Sequence, residues 1–239
     1  MFTFNGYSSS DLGLVVNKIA PFYRPRRLSK TYVPEGANKA FVEQLGYEPY
    51  ELTYQVTLLD DSKFELCQSV LNGSGTLVRK DDDNKYLLAR IDNQIEWLRF
   101  SQGVALKVAE VTFFIYDPFR YLLNESDVVL TSHGNIENNG THFSEPLIKM
   151  TGSGIVTLTI NGFDYTYNFD TPFVYLDSSA REAYASDTDI EGTRKTRRLV
   201  SSFNRKHLTY WPVLEVGTNV ISWTGTITEL VITKRSRYL

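Results

Sequence analysis

Residues 155–169 read Ile-Val-Thr-Leu-Thr-Ile, then Asn-Gly, then Phe-Asp-Tyr-Thr-Tyr-Asn-Phe, a pattern that leaves the backbone little choice. Large side chains recur at every second position on both sides of Asn-Gly, which is the period of a half-buried strand and not of a helix. Asn161-Gly162 suits a type I′ turn, in which both central residues take positive φ. A two-residue loop of this kind also sets the register, with Ile160 opposite Phe163, Leu158 opposite Tyr165 and Val156 opposite Tyr167. Aliphatic and aromatic partners then share one face, the pairing that stabilises a ladder. An isolated hairpin is marginal in water, so further strands must cover it.

The same reading extends to the first half. Phe2-Thr3-Phe4 before Asn5-Gly6 is a short strand that turns at once, and Leu12–Val16 is a second apolar run. In Glu51–Leu59, Leu52, Tyr54, Val56 and Leu58 point one way and Glu51, Thr53, Gln55 and Thr57 the other. Ser62-Lys63-Phe64-Glu65 matches a capping box ahead of Phe64, Cys67, Val70 and Leu71. With Asn72-Gly73 as a stop, this predicts one helix of about three turns. Gly75–Val78, Tyr86–Ile91, Ile95–Phe100 and Ala105–Tyr116 read as strands. The last has Lys107, Ala109, Val111, Phe113 and Ile115 on one face and Leu106, Val108, Phe114 and Tyr116 on the other, which predicts burial on both sides at its far end. Asp117-Pro118 should stop that strand near Tyr116, since proline has no donor for a ladder. Composition changes at the same place, from charged turns and one helix to short strands and Asn-Gly turns, marking a joint between two domains.

Residues 21–49 stand apart. Pro21 and Pro25 exclude a regular helix or a central strand over residues 21–27, and together with Val33-Pro34-Glu35-Gly36 they bracket a region that reads as loop or edge strand. Excursions of that length in a compact domain are usually functional or part of an interface. Downstream of the hairpin, Phe173–Leu176, Val220–Trp223 and Ile227–Thr233 read as strands, with a turn-rich segment at Asp177–Thr193 and a turn at Gly217-Thr218-Asn219. Short strands at this spacing indicate a β-sandwich. Arg194, Lys195, Arg197 and Arg198, with Arg205 and Lys206 beyond, make the one basic cluster, an ordinary solvated loop or a contact for phosphates or an acidic partner.

Several function classes fall away. A net charge of −3 gathers no nucleic acid. The single cysteine, Cys67, rules out an intramolecular disulfide framework and a multi-cysteine zinc site, and on an apolar helix face it reads as a core thiol. Asp81-Asp82-Asp83 lacks the ligand spacing of a calcium loop and reads as a solvated turn. His133, His142 and His207 all lie in polar or irregular stretches. There is no Gly-x-Ser-x-Gly, no His-Glu-x-x-His and no phosphate loop, so no enzyme, cofactor or metal is expected. The start lacks a signal-peptide pattern and no apolar run of membrane-spanning length occurs, so the expectation is a soluble protein made in a cytoplasm, with no membrane partner.

The order of motifs resembles the distal tail protein (Dit) family of long-tailed, siphovirus-type bacteriophages. Phe2-Thr3-Phe4-Asn5-Gly6-Tyr7-Ser8-Ser9 with Asp11-Leu12-Gly13-Leu14 looks like the family's opening. Tyr50–Leu59, the helix at 62–71, Gly75-Thr76-Leu77, Asp81–Asp83 with Tyr86–Ala89, and Tyr116-Asp117-Pro118-Phe119 follow in its order. Asn139-Gly140, Pro146-Leu147-Ile148 and Gly152-Ser153-Gly154 are similar to the start of its second domain. Pro212, Gly217–Gly225 and Arg235-Ser236-Arg237 are similar to its close. The chain departs at Val33–Asn38, where members often have a Gly-Arg-Asp-Gly-like turn, and in lacking a tryptophan at 66–72.

The resemblance implies a mainly β protein of two domains. Residues 1–121 would be an N-terminal ring-forming domain with one short helix and an extended arm at 21–49. Residues 122–239 would be a C-terminal galectin-like β-sandwich. It implies a hexameric hub at the phage tail tip of the virion, joining the tail tube to the baseplate and host-adsorption apparatus. Its partners would be copies of itself, the major tail tube protein, the tail-associated tip protein and receptor-binding or baseplate proteins, with DNA passing through the channel without specific binding. The alternative is a carbohydrate-binding module for host cell-wall glycan, with Tyr210 and Trp211 as the aromatic contacts; a sugar site needs an aromatic face in a groove with convergent polar groups.

Overall fold

The computed structural model describes residues 1–36, 38–99, 106–169, 171–186, 197–199 and 210–239. Two compact units form, Met1–Leu123 with Leu239, and Asn124–Tyr238. The first contains β1 (Phe2–Phe4), β2 (Tyr7–Ser8), β3 (Leu14–Lys18), β4 (Arg27–Tyr32), β5 (Phe41–Tyr47), β6 (Tyr50–Leu58), α1 (Phe64–Val70), β7 (Gly73–Arg79), β8 (Asp82–Ile91), β9 (Leu98–Arg99) and β10 (Lys107–Leu122). Its main sheet runs β2-β1-β7-β8-β10-β6-β3, with β9 also on β10. The inward row of β6 is Leu52, Tyr54, Val56 and Leu58, paired edge to edge with Val111, Ala109 and their neighbours on β10, and all are buried.

That sheet is curled. The Phe2 ring lies 5.0 Å from Tyr54 and 5.3 Å from Phe113, and Phe4 lies 5.2 Å from Phe113. Yet β1 and β6 are four strand steps apart in the sheet order, which in a flat sheet is about 19 Å. Ring contact across that span requires the sheet to close over its own inner face. At one end α1 packs Cys67 into the same core, with Phe64 edge-on to Trp97 at 5.7 Å.

Several local expectations need correction. Ser62 is not a helix cap: Asp60 caps a 3-10 turn at Asp61–Lys63, its carboxylate accepting from the Ser62 backbone N–H and hydroxyl, and α1 follows with Lys63 at its N-cap, no side-chain cap and only seven residues. An acidic N-cap at the helix start competes well with serine. The strand expected over Ile95–Phe100 is reduced to β9, while Ile95 and Trp97 pack on the core. Pro118 does not end β10, which runs on to Leu122. Its pairing with β8 goes from Asp117↔Leu88 to Arg120↔Leu87, so Pro118 sits in a bulge where no ladder donor is required. Phe119 N–H is taken instead by the Asp117 carboxylate. Tyr116 is exposed, so the second face of β10 is not buried at that end.

The second unit contains β11 (Val128–Leu130), β12 (Gly134–Asn138), β13 (Leu147–Ile160), β14 (Phe163–Phe169), β15 (Phe173–Asp177), β16 (Glu182–Ser186), β17 (Arg197–Leu199) and β18 (Gly217–Thr233). The hairpin β13–β14 has the expected register, Ile160↔Phe163, Leu158↔Tyr165 and Val156↔Tyr167, with Asn161 and Gly162 at φ 51° and 84°. The two strands expected at Val220–Trp223 and Ile227–Thr233 are one long strand, β18, and β16 forms inside the segment read as turn. β13 and β18 pair with each other throughout, but their outer neighbours change midway. Leu147–Thr151 of β13 pairs with β15 and Gly154–Ile160 with β14; Leu230–Ile232 of β18 pairs with β11 and Gly217–Ile221 with β12.

The ladder irregularity between Ser153 and Thr157 makes that change possible. Gly225 has φ +86°, and a Cβ there would lie 2.4 Å from the Ile155 carbonyl oxygen. Two shared strands, folded at this point, wrap both halves of the sheet around Leu158, Tyr167, Leu176, Trp223 and Leu230.

Gly225→Ala is expected to destabilise the second unit by about 1–3 kcal/mol, the cost of a non-glycine residue in a sparsely populated backbone region with a carbonyl in the way. Denaturant unfolding followed by tryptophan fluorescence checks this, and an unchanged midpoint counts against it. In the first unit, burial pushes the Cys67 thiol up to about 11 from 9.0, and its Sγ donates to the Leu12 carbonyl at 3.2 Å. The neutral thiol is the form the fold favours. Its contribution is therefore complete below the unfolded value and is lost as pH rises through the folded one. At pH 8 the folded chain should resist alkylation that the denatured chain undergoes readily.

Candidate functional site

The stretch read as loop or edge strand is a two-stranded ribbon, because β4 and β5 pair with each other and with no other described strand. Every described residue from 26 to 46 is exposed. Leu28, Tyr32, Val33, Phe41, Val42 and Leu45 are among them. Tyr32 lies opposite Phe41 with the rings stacked at 5.5 Å, and Thr31 lies opposite Val42. Successive residues of a strand face opposite sides, so both faces of the ribbon carry apolar groups. Between Leu28↔Gly46 and Ser29↔Gln44 the ladder has a bulge that leaves Leu45 unpaired, and Gly46 supplies φ +115° there. A ribbon with two solvated faces has no core of its own. It is held at its root.

The root is built around Arg79. Its guanidinium, with the residue 4% exposed, forks onto both Asp81 oxygens at 3.0 and 2.7 Å. It also donates to the carbonyls of Pro21 at 3.0 Å and Ala20 at 2.8 Å and lies 3.9 Å over the Phe22 ring. The return leg is held by Tyr47, edge-on to Phe119 at 5.6 Å and under Arg27 at 5.6 Å. Glu48 N–H donates to the Arg26 carbonyl at 2.8 Å, and Tyr23 meets Tyr50 at 6.0 Å. Desolvation of the Tyr54 hydroxyl nearby pushes its pKa up to about 12.

The three aspartates are largely committed to cations. Asp81 holds Arg79, and Asp82 holds Lys85 and Arg120 at 2.8 Å each. Among the described residues no cluster of three or more His, Cys, Asp or Glu could hold a metal. His133 lies edge-on to Trp223 at 4.9 Å and His142 lies tilted against Phe143 at 4.3 Å. His207 and most of the basic cluster lie outside the described residues; of that cluster only the backbone of Arg197 and Arg198 is described, in β17. The aromatic pair singled out in the sequence divides. Tyr210 is exposed with its ring 6.4 Å from the exposed Phe163, whereas Trp211 is half-buried against the second unit's core.

Sequence reasoning passed over Arg79. A signal was available: in β7, Gly75, Leu77 and Arg79 share a phase, so the alternation puts an arginine on the inward row. A charge on that row demands partners.

No protein-family pattern matches the sequence, and no curated protein resembles it in sequence. Among solved structures, the Dit protein of phage SPP1 superposes with TM-score 0.70 at 12% identity over 97% of each chain. That structure is described as a paradigm of the hub adsorption apparatus in phages infecting Gram-positive bacteria. Two structures of the phage p2 baseplate in its activated conformation overlay less well. The strontium form gives TM-score 0.48 at 8% identity over 91% of each chain, and the calcium form 0.46 at 6% over 93%. This chain has the mainly β fold of SPP1 Dit over nearly its full length.

The hydrogen bond from Arg79 holds the Asp81 carboxyl below its ordinary value of 3.8. A depressed carboxylate contributes stability above its unfolded pKa and loses that contribution as pH falls through the folded one. The grip on the arm root should therefore persist through pH 4. In an NMR titration Asp81 is expected to protonate below 3.8, and to move upward in Arg79→Met; an Asp81 that titrates alike in both chains contradicts the pairing.

Proposed function

We propose that this protein is a structural hub of a phage tail, in which copies of the chain join through the ribbon at residues 26–46. The observation that carries this is the exposure of apolar residues on both faces of an anchored two-stranded ribbon. Monomeric proteins rarely leave such a surface open, and a head-to-tail contact, the ribbon of one copy against a different surface of the next, makes a ring when its rotation closes. The SPP1 Dit fold supports the reading, since that protein is described as a hub of an adsorption apparatus.

In this reading the first unit builds a hexameric ring between the tail tube protein and the tail-associated tip or baseplate proteins. DNA traverses the ring without specific contacts. The second unit, a galectin-like sandwich, is carried on it. The protein acts in the virion tail tip by holding other proteins, without catalysis.

The test is native mass measurement with negative-stain electron microscopy. Six-fold rings are expected for the wild-type chain, alone or with tail-tube and tip proteins added. Val42→Asp with Leu45→Asp should leave unfolding within about 0.5 kcal/mol, as for exposed positions generally, and abolish the rings. A chain that stays monomeric with every tail partner present overturns the proposal.

A further inference from the structure

We propose that Arg79 is the positioning residue for this assembly: it grips the first leg of the ribbon where that leg leaves the sheet, and so sets the direction in which the apolar faces are offered to a second copy. This rests on the reading of the ribbon as the self-assembly element.

The leg needs an external grip. Residues 19–26 lie between β3 and β4 and belong to no strand, and Pro21 and Pro25 have no N–H to donate. Arg79 supplies what a ladder would have supplied, donating to two successive carbonyls, Ala20 and Pro21, and covering the ring that follows, Phe22. Asp81 completes the arrangement by orienting the guanidinium from the other side with two parallel bonds. The fork geometry makes this an arginine task, because one planar group reaches a carboxylate and two carbonyls at once. A lysine ammonium on the same strand keeps the charge pair and loses the planar fork.

The grip is a matter of leverage. The six residues of β4 span about 20 Å at about 3.3 Å each. A swing of about 10° at the root moves the far end by about 3–4 Å, close to the whole 4.0–4.5 Å range over which apolar side chains count as touching. An unanchored ribbon would have to be oriented during association, and that ordering subtracts from affinity at every contact of a ring.

The experiment compares full-length wild type with Arg79→Lys, Arg79→Met and Phe22→Ala. Three quantities are read: the unfolding midpoint, the rate of tryptic cleavage at Arg26 and Arg27 in the unassembled chain, and the protein concentration at half-assembly. Arg79→Lys is expected to lower the midpoint by less than Arg79→Met does, speed cleavage, and raise the half-assembly concentration at least about tenfold, which is about 1.4 kcal/mol, more than its loss of midpoint accounts for. Phe22→Ala alters an exposed ring and cannot empty the core. It should shift assembly the same way by less, which keeps the test valid if Arg79→Met does not fold. Rings of wild-type affinity from all the variants overturn this assignment alone. So does an assembly defect that merely follows the loss of midpoint from variant to variant. A wild-type chain that never assembles overturns the assignment together with the reading of the ribbon.

Discussion

The contact of Phe2 and Phe4 with Tyr54 and Phe113 governs the first unit. In the sheet order β1 lies three strand steps from β10 and four from β6, so the contact of its two rings with Tyr54 and Phe113 is possible only when the sheet curls. Aromatic pairs of this kind add about 0.5–1.5 kcal/mol each beyond the area they bury. The curl also decides what remains outside. With the inner face filled by Leu52, Val56, Leu77, Val111 and Ile115, no inner surface is left for the apolar residues of 26–46. They are left in solvent, at the end of a leg whose last buried residue before Pro25 is Ala20.

Arg79 connects the two regimes. It occupies the inward row of a core strand but spends its hydrogen bonds on the departing leg and on Asp81, so a single buried charge ties the rigid sheet to an element with no core of its own. Buried charges are tolerated when they are paired and hydrogen-bonded, and here Nε and both terminal nitrogens have acceptors. The ribbon is thereby fixed at its root and exposed along its length, the arrangement on which the proposed self-assembly rests.

The second unit solves a different problem with the same material. Two long strands, β13 and β18, run through both halves of its sheet, and the fold-over at Gly225 lets each half keep its inward row on one shared core. The alternation of Val156, Leu158 and Ile160 against Tyr167, Tyr165 and Phe163 was legible from residue type, since a period of two and an Asn-Gly loop admit one register. The union of Val220–Trp223 with Ile227–Thr233 was not. Thr224-Gly225-Thr226 has the composition of a turn, and only the neighbouring Ile155 carbonyl, tens of residues away, makes it the kink of a continuous strand.

Pro118 and Ser62 carry the same lesson. Proline without a donor is a fair reason to end a strand, but β10 bulges at residues 118–119 against the consecutive Leu88 and Leu87 of β8, so the ladder passes around. Ser62 and Glu65 have capping-box spacing, but Asp60 lies two residues ahead and accepts from Ser62 itself. What the sequence alone determined here is local: which residues alternate, where glycine and asparagine can turn, and that 21–49 is neither helix nor central strand. Those follow from side-chain period and backbone sterics within a few residues. What only the tertiary structure decided is non-local: the curl that brings β1 onto β6, the pairing of β4 with β5 in open solvent, and the role of Arg79. The reason is that a buried charge declares its partners only when the chain has brought Ala20, Pro21 and Asp81 around it.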